Sequence, residues 1–180
     1  MSFVSYILNG ISLGSVYAII ALGYTMVYGI AKMLNFAHGD IIMVGSYVAF
    51  IAINSMGLPV PVSILLSVVV CTVLGMVIER VAYKPLRHAS KLAVLITAIG
   101  ASYFLQNVAL LIFGANTKSF TSIVGNGSVQ LAGGALSVTM VTIVTVIACV
   151  VIMIGLMAFM KYSKAGHAML AVSEDDGAAQ

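Results

Sequence analysis

The side chains best placed to do chemistry form a short polar segment, Asn35-Phe36-Ala37-His38-Gly39-Asp40, between two apolar runs. His38 can titrate near neutral pH or bond a carbonyl group. Asp40 can cap a following helix, because its carboxylate accepts hydrogen bonds from the free N–H groups at the positive helix end. Gly39 allows a sharp backbone turn. The segment predicts either a capped turn or, at membrane depth, a gate or broken-helix element beside an aqueous path.

Two more polar side chains share a helix face farther along the chain. Ser102 and Gln106 are four positions apart in an apolar run, which places them on one side of a helix. Such groups either bond neighbouring helices together or line a path for a polar solute, and both roles stay open. The sequence has no Walker A loop, G-x-S-x-G or H-E-x-x-H motif, and no Cys/His spacing typical of zinc. We therefore predict no catalytic residue, no metal site and no cofactor.

The composition indicates whether the surface of the chain faces water or lipid. Hydrophobic residues make up 62% of its 180 residues and charged residues only 7%, whereas soluble domains carry roughly 25% charged residues. So little charge cannot cover a water-facing surface, and lipid is the solvent that tolerates such a shortage. The formal net charge of +3 gives no indication of nucleic-acid binding. The predicted fold class is all-α, a polytopic membrane helix bundle in contact with lipid.

Five apolar stretches approach the ~20 helical residues that are needed to cross ~30 Å of hydrocarbon. Their predicted bounds are about residues 6–30, 41–56, 61–78, 92–113 and 139–160. The second stretch is short, so its start is expected to reach back toward Asn35. Residues 1–160 therefore form the predicted transmembrane region, and residues 161–180 form a separate segment after it.

The few basic residues orient these spans, because loops rich in Lys and Arg stay in the cytoplasm. The loop from Glu79 to Lys91 is basic and is predicted to be cytoplasmic. With five spans, the N-terminus then lies outside and the tail after Lys161 lies inside. Lys118 is the one Lys or Arg residue of the sequence that this topology places outside.

Small residues recur at helical spacing in the first span, where Gly10, Gly14 and Ala18 follow one another every four positions. In lipid, small residues let helix backbones approach closely. The stripe predicts a packed helix, either in the centre of a bundle beside a path or in an ordinary helix contact.

Three longer stretches resemble a known family. They are residues 23–47, with GYTMVYGI, LNFAHGD and MVGSY; residues 79–87, ERVAYKPLR; and residues 97–107, TAIGASYFLQN. Together they resemble the LivH-type permeases of branched-chain amino acid ABC transporters, and the resemblance covers the chain from about Gly10 to its end. Urea-type permeases of the same superfamily carry strings similar to the one at Asn35–Asp40. A urea or amide substrate therefore remains an alternative.

The resemblance implies a type II ABC importer permease in the bacterial inner membrane. Such a permease pairs with a LivM-like second permease subunit above two cytoplasmic ATPase subunits. A periplasmic substrate-binding protein delivers Leu, Ile or Val, and ATP hydrolysis takes place on the partners, so the chain itself is not expected to be an enzyme. Two hypotheses of other classes compete with this one: a secondary transporter or channel that needs no ATPase, and a non-transporting scaffold or inactive fragment.

The resemblance also implies a role for the tail. Residues 163–179 resemble the cytoplasmic segment that docks into the ATPase, with coupling residues expected at Gly166, Met169, Glu174, Asp175, Gly177 and Ala178. A short helix with apolar contacts can seat in a groove of a soluble partner, and a solvated tail is the alternative. Family members continue through further spans, so we expect an incomplete coupling segment in a chain that stops early.

Overall fold

Helices account for most of the computed structural model, which describes residues 2–32, 34–86, 89–119, 127–131 and 136–174. The helices are α1, Ser2–Ala31; α2, His38–Asn54; α3, Val60–Ile78; α4, Lys91–Phe113; α5, Met140–Tyr162; and α6, Lys164–Glu174. A π-helical turn, Glu79–Tyr83, and a 3₁₀ turn, Lys84–Leu86, continue α3. The two strands are β1, Ser128–Leu131, and β2, Leu136–Thr139.

Four helices in the described part of the chain are long and apolar enough to cross a membrane. Their spanning segments are Tyr6–Gly29, Val60–Leu86, Leu92–Phe113 and Met140–Tyr162. α2 is apolar but has 17 residues, about 25 Å at ~1.5 Å per residue, which is shorter than a ~30 Å hydrocarbon core. The expectation of a helical chain with several apolar spans is confirmed. That α2 is a fifth crossing stays a prediction.

The chain divides into two compact units, Met1–Lys32 with Thr121–Gln180, and Met33–Phe120. The first unit holds α1, the two strands, α5 and α6, and in it α1 packs against both α5 and α6. The second unit holds α2, α3 and α4. Large apolar side chains are widely exposed on α1, α3, α4 and α5, as expected of helices whose outer surface faces lipid.

The ends of the helices in the second unit follow the local sequence. Gly57, between α2 and α3, has φ = +63° and Gly114, after α4, has φ = +76°, left-handed conformations that favour glycine. Pro59 precedes α3 in an extended conformation. The Ser90 hydroxyl caps α4, where it accepts from the backbone N–H of Ala93 at 3.3 Å.

α2 and α3 form a close antiparallel pair. The Ser67 hydroxyl donates to the carbonyl of Gly45 at 2.7 Å, and the Cys71 thiol donates to the carbonyl of Ile41 at 3.4 Å. A Cβ added to Gly45 would lie 2.6 Å from the Cys71 sulfur, which is closer than atoms can pack. The glycine therefore allows the backbone of α2 to approach the side chains of α3.

The core of the second unit is small and apolar. Buried Ala37, Ile78 and Leu105 form its centre, and partly buried side chains pack against them: Ile41, Leu74, Ala82, Tyr83 and Ala101. The cluster joins the segment before α2 to the end of α3 and to α4. It therefore holds together the elements that position the polar residues described below.

The polar loop after α4 contains a β-hairpin that the sequence pattern does not predict. β1 and β2 are antiparallel, with Ser128 opposite Thr139. The backbone N–H of Met140 also donates to the Gly127 carbonyl at 3.0 Å, so the pairing runs directly into the start of α5. Four-residue strands in a region rich in Gly, Ser and Thr have too few alternating positions to be distinguished from a loop.

The small-residue stripe of α1 makes no close helix contact among the described residues of the first unit. A Cβ added to Gly10 or Gly14 would meet nothing within 4 Å, and Ala18 is exposed. Within the first unit, the close helix approach that the stripe predicts is therefore not made at Gly10 or Gly14.

Candidate functional site

Three of the predicted site residues come together between α2 and α4. The side-chain amide of Gln106 donates to the Asp40 carboxylate at 3.1 Å and to the Ser102 hydroxyl at 3.1 Å. Asp40 is buried, at 7% exposure, so its carboxylate needs a hydrogen-bond donor. An amide NH₂ group has two donors and can serve both oxygens. We call this set of Asp40, Gln106 and Ser102 the α2–α4 bridge.

Asp40 does not cap α2, and that prediction is wrong. The helix begins at His38, with Ala37 as its N-cap residue and no side-chain cap hydrogen bond. Asp40 lies inside the first turn of α2, where a negative charge interacts favourably with the positive end of the helix dipole. Its carboxylate accepts a hydrogen bond from α4. The Asn35 side chain accepts from the backbone N–H of Ala37 at 3.1 Å just before the helix.

Gly39 does not form the predicted sharp turn either. It lies in the first turn of α2, and a Cβ added there would meet nothing within 4 Å among the described residues. The left-handed conformation occurs earlier, at Lys32, with φ = +51°. His38 is half-buried and is the first residue of α2, two positions before the buried carboxylate of Asp40.

Tyr83 is a candidate site residue that the sequence pattern does not indicate. Its hydroxyl donates to the side-chain oxygen of Asn35 at 2.8 Å, which connects the segment before α2 to the π-helical turn after α3. The two residues are 48 positions apart. No local spacing indicates such a pair, although Tyr83 lies in one of the stretches that carry the family resemblance.

α2 and α4 run in the same direction. Asp40 lies beside Gln106, and seven residues farther along each helix the rings of Tyr47 and Phe113 stack with centroids 4.1 Å apart and planes at 3°. Parallel stacking of this kind adds contact between two helices. The two contacts fix both the direction and the register of α2 against α4.

The α2–α4 bridge lies within the length of a candidate span, away from its ends. Gln106 is about 21 Å along α4 from Leu92 and about 10 Å from Phe113, at ~1.5 Å per residue. On α3, the Cys71 thiol bonds Ile41, the residue after Asp40, well inside the span Val60–Leu86. The non-helical segment before α2 is followed at once by the buried Asp40 carboxylate. That carboxylate therefore lies part-way along the lengths of α3 and α4 and not at their ends.

The described groups in this region can bind a polar solute or one another. They include one carboxylate, amides, hydroxyls, the Cys71 thiol and the His38 imidazole. Within the described ranges, no three His, Cys, Asp or Glu side chains group so as to hold a metal ion. The arrangement suits recognition or gating.

The junction of α5 and α6 is a tight elbow. The Ser163 hydroxyl accepts from the N–H of Gly166 at 2.8 Å, and the Ser163 carbonyl accepts from the backbone and the ring Nδ1 of His167 at 3.0 and 2.9 Å. A Cβ added to Gly166 would lie 2.5 Å from the Phe159 carbonyl oxygen and 2.6 Å from the Met160 Cα. Only glycine lets the start of α6 lie against the end of α5 in this way.

The predicted coupling residues divide between two sides of α6. Gly166 is buried against α5, and Met169, three positions on, is half-buried. Glu174, the last residue of α6, is exposed. The outward surface of the helix is formed by other residues: Lys164, Ala165, Ala168 and Ala171. Asp175, Gly177 and Ala178 lie outside the described residues.

The sequence was compared with models of known protein families. A family model described as the permease component of branched-chain amino acid transport systems matches residues 6–180. The chain belongs to this permease family. Its apolar helices and this membership make it a multi-pass membrane protein, and the resemblance read from the sequence is confirmed.

Relatives in this permease family cover nearly the whole chain. The LivH proteins of Escherichia coli K12 and Salmonella typhimurium, named high-affinity branched-chain amino acid transport system permease proteins, are 40% and 39% identical over 96% of the chain. The similarly named BraD of Pseudomonas aeruginosa is 48% identical over 68% of the chain. The chain spans 59% of the length of these LivH relatives and 42% of BraD. No solved structure is significantly similar to it.

Proposed function

We propose that this chain acts as an inner-membrane permease subunit of a bacterial ABC importer for the branched-chain amino acids Leu, Ile and Val. The observation that carries the proposal is the family match over residues 6–180, together with the names of the LivH and BraD relatives. In this proposal a LivM-like second permease subunit completes the path, and a periplasmic binding protein delivers the substrate. Two cytoplasmic ATPase subunits hydrolyse the ATP, and the chain itself catalyses no reaction.

The proposed orientation puts the N-terminus outside and the tail after Lys161 in the cytoplasm, as the positive-inside rule predicts. The parallel direction of α2 and α4 agrees with it, because both helices must start from the same side, which the positive-inside rule makes the cytoplasmic side. The Asn35–Tyr83 hydrogen bond also agrees with it, since the segment before α2 and the turn after α3 would share that side.

The proposed path or gate consists of the polar residues around the start of α2 and the bridge: Asn35, His38, Gly39, Asp40, Ser102 and Gln106. Its support is the intermediate depth of the bridge along α4. Non-helical backbone and ionisable groups at membrane depth are tolerated where they are buried in protein or line a water-filled cavity. A broken start of α2 at that depth suits a gate better than a capped turn at the surface.

The proposed coupling element is α6 with the residues after it, including Asp175, Gly177 and Ala178. The elbow at Gly166 supports it, because α6 lies directly against the end of α5. A movement of α6 that an ATPase causes can therefore be transmitted to α5. Lys164, Ala168 and Ala171 present the outward surface that a soluble partner would contact.

Reconstitution tests the proposal. Membrane vesicles carrying the chain with the second permease subunit, the ATPase subunits and leucine-loaded binding protein are expected to take up leucine on addition of ATP. Vesicles that lack only this chain should not. Co-purification of the ATPases with the chain should accompany uptake. Loss of all ATPase binding would overturn the proposal, uptake driven by an ion gradient alone would favour a secondary transporter, and uptake of urea in preference to leucine would change the substrate.

The gate has its own test. In the same vesicles, His38→Gln and Asp40→Asn are expected to change the rate of leucine uptake while the proteins still reach the membrane. Asn107→Ala is the matched control, since the Asn107 amide donates to the Tyr103 carbonyl of its own helix. Uptake that remains normal in both folded variants would remove the gate from the proposal and leave the permease assignment intact.

A further inference from the structure

An apolar groove in the first unit runs beside α1, α5 and α6. Its volume is about 700 Å³. The lining is dominated by Met and Leu side chains, among them Met26 of α1, Met153 and Met157 of α5, and Leu170 of α6. Methionine side chains are flexible and polarisable, so they adapt to an occupant of variable shape.

One end of this groove is cationic. Lys161 and His167 are the ionisable residues in its lining, and no acidic residue in the described part of the chain lines it. Lys161 belongs to the last turn of α5, and its Nζ lies 5.6 Å from the ring centroid of Tyr162, which is 77% exposed. A Lys beside an exposed Tyr at the end of a span is typical of the membrane–water interface.

His167 is oriented by the elbow. Its ring Nδ1 bonds the Ser163 carbonyl at 2.9 Å, so Nδ1 carries a proton and Nε2 is the ring nitrogen turned away from that bond. A long apolar lining that ends at the Lys161 ammonium group matches a molecule with an apolar tail and an anionic head.

We propose that this groove binds an anionic phospholipid, with acyl chains along the Met and Leu side chains and the phosphate beside Lys161 and His167. Charge complementarity favours this occupant, because basic pockets between spanning helices at the cytoplasmic side bind anionic lipid head groups. An apolar segment of a partner protein would fill the same lining but would leave the cationic end without an anion. The site shares no residue with the proposed path, and its His167 and Leu170 belong to α6, the proposed coupling helix.

Native mass spectrometry tests the site. The full chain is placed in nanodiscs of equal parts phosphatidylcholine and phosphatidylglycerol. The protein is then released from the nanodisc in the mass spectrometer, and the lipid molecules that stay bound to it are counted. We expect phosphatidylglycerol to be retained preferentially, and Lys161→Gln to lower that preference about fivefold, the effect of ~1 kcal/mol for one cation near a membrane surface. Lys118→Gln makes the same charge change in the segment after α4 and should leave the preference unchanged. Equal retention of the two lipids by the unaltered chain, or equal effects of both variants, would overturn the site.

A second measurement separates lipid from protein. Met157→Trp should fill part of the groove and lower retention of both lipids, with unchanged helical content as the control for folding. A photoreactive methionine analogue at position 157 in native membranes should form adducts with phospholipid. Adducts with a protein chain alone would overturn the proposal. Neither measurement involves transport, so its failure leaves the permease proposal standing, and the failure of leucine uptake leaves this site standing.

Discussion

The side-chain amide of Gln106 donates to the buried carboxylate of Asp40 at 3.1 Å, and this contact joins α4 to α2 across 66 positions of sequence. The same amide holds Ser102 at 3.1 Å on its own helix. Of the two roles that the sequence leaves open for these residues, helix joining is thus directly present in the structure. A role in gating requires in addition that the contact opens and closes.

The bridge is expected to stabilise the α2–α4 contact. Gln106→Leu removes the donor and leaves a buried carboxylate without it, so we expect the free energy of unfolding to fall by about 1–2 kcal/mol. Unfolding in mixed micelles measures the change. Asn107→Leu is the control, because its amide donates to the Tyr103 carbonyl of α4 itself. A double-mutant cycle with Asp40→Ala that gives no coupling between positions 40 and 106 would contradict the assignment.

The close approach of α2 and α3 predicts a steric effect at Gly45. In Gly45→Ala, the new methyl group would lie 2.6 Å from the Cys71 sulfur and 3.1 Å from the Ser67 oxygen, so we expect a loss of about 1–3 kcal/mol from overpacking. Adding Cys71→Ala should restore part of that loss. Gly39→Ala on the same helix meets nothing within 4 Å and should raise stability by up to ~1 kcal/mol. Equal effects of the two alanine substitutions would show that the close contact is absent.

The elbow between α5 and α6 predicts a change of geometry at Gly166. A methyl group there meets backbone atoms of Phe159 and Met160, which cannot rotate away as a side chain can, so Gly166→Ala should move α6 off the end of α5. Spin labels on the exposed surfaces of α5 and α6 would report a longer or broader distance. If α6 is the coupling element, ATPase co-purification should weaken as well.

Gly155→Ala provides the control for the elbow, because it makes the same substitution in α5, at a position where a Cβ meets nothing within 4 Å. Unchanged distances in Gly166→Ala would contradict the rigid elbow. Changed distances with normal ATPase binding would retain the elbow and remove its role in coupling.

The proposed topology predicts which side of the membrane each charged segment faces. In a chain with Cys71 and Cys149 replaced by Ala, a single Cys at position 118 should react with an impermeant reagent added from outside. A single Cys at position 84 or 164 should react only from the cytoplasmic side, because basic segments are retained there. Reaction of positions 118 and 84 from the same side would exclude the five-span arrangement.

The sequence predicts the helices well because membrane solubility leaves few alternatives. The predicted spans at residues 92–113 and 139–160 differ by one or two residues from α4, Lys91–Phe113, and α5, Met140–Tyr162. Long uncharged runs must satisfy their backbone internally, so length and composition nearly determine them. The π-helical turn Glu79–Tyr83 and the β-hairpin depend on tertiary packing and on short pairings, which leave no comparable pattern.

The sequence predicts which residues belong to the polar site but does not predict which hydrogen bonds they make. Ser102 and Gln106 are conspicuous as polar residues in an apolar run, and Asp40 as the acid of a polar segment between two apolar runs. Which partner each one bonds depends on the register between helices. A helix that starts at His38, three residues before position 41, places Asp40 inside its first turn. Asp40 is predicted as the cap of a helix that starts at position 41, and it bonds α4 because α2 starts at His38. Tyr83 has no unusual context of its own and becomes recognisable only through its bond to Asn35.

The separation of Asp40 from Gln106 also imposes an order on biogenesis. At a synthesis rate of ~5–20 residues per second, the 66 positions between them take roughly 3–13 s. During that time Asp40 has been synthesised and Gln106, its hydrogen-bond donor, has not. α3 is made sooner, and the Ser67 and Cys71 contacts to α2 need only 22 and 30 further positions. The hairpin of α2 and α3 can thus assemble first, before the Gln106 donor for the Asp40 carboxylate has been made.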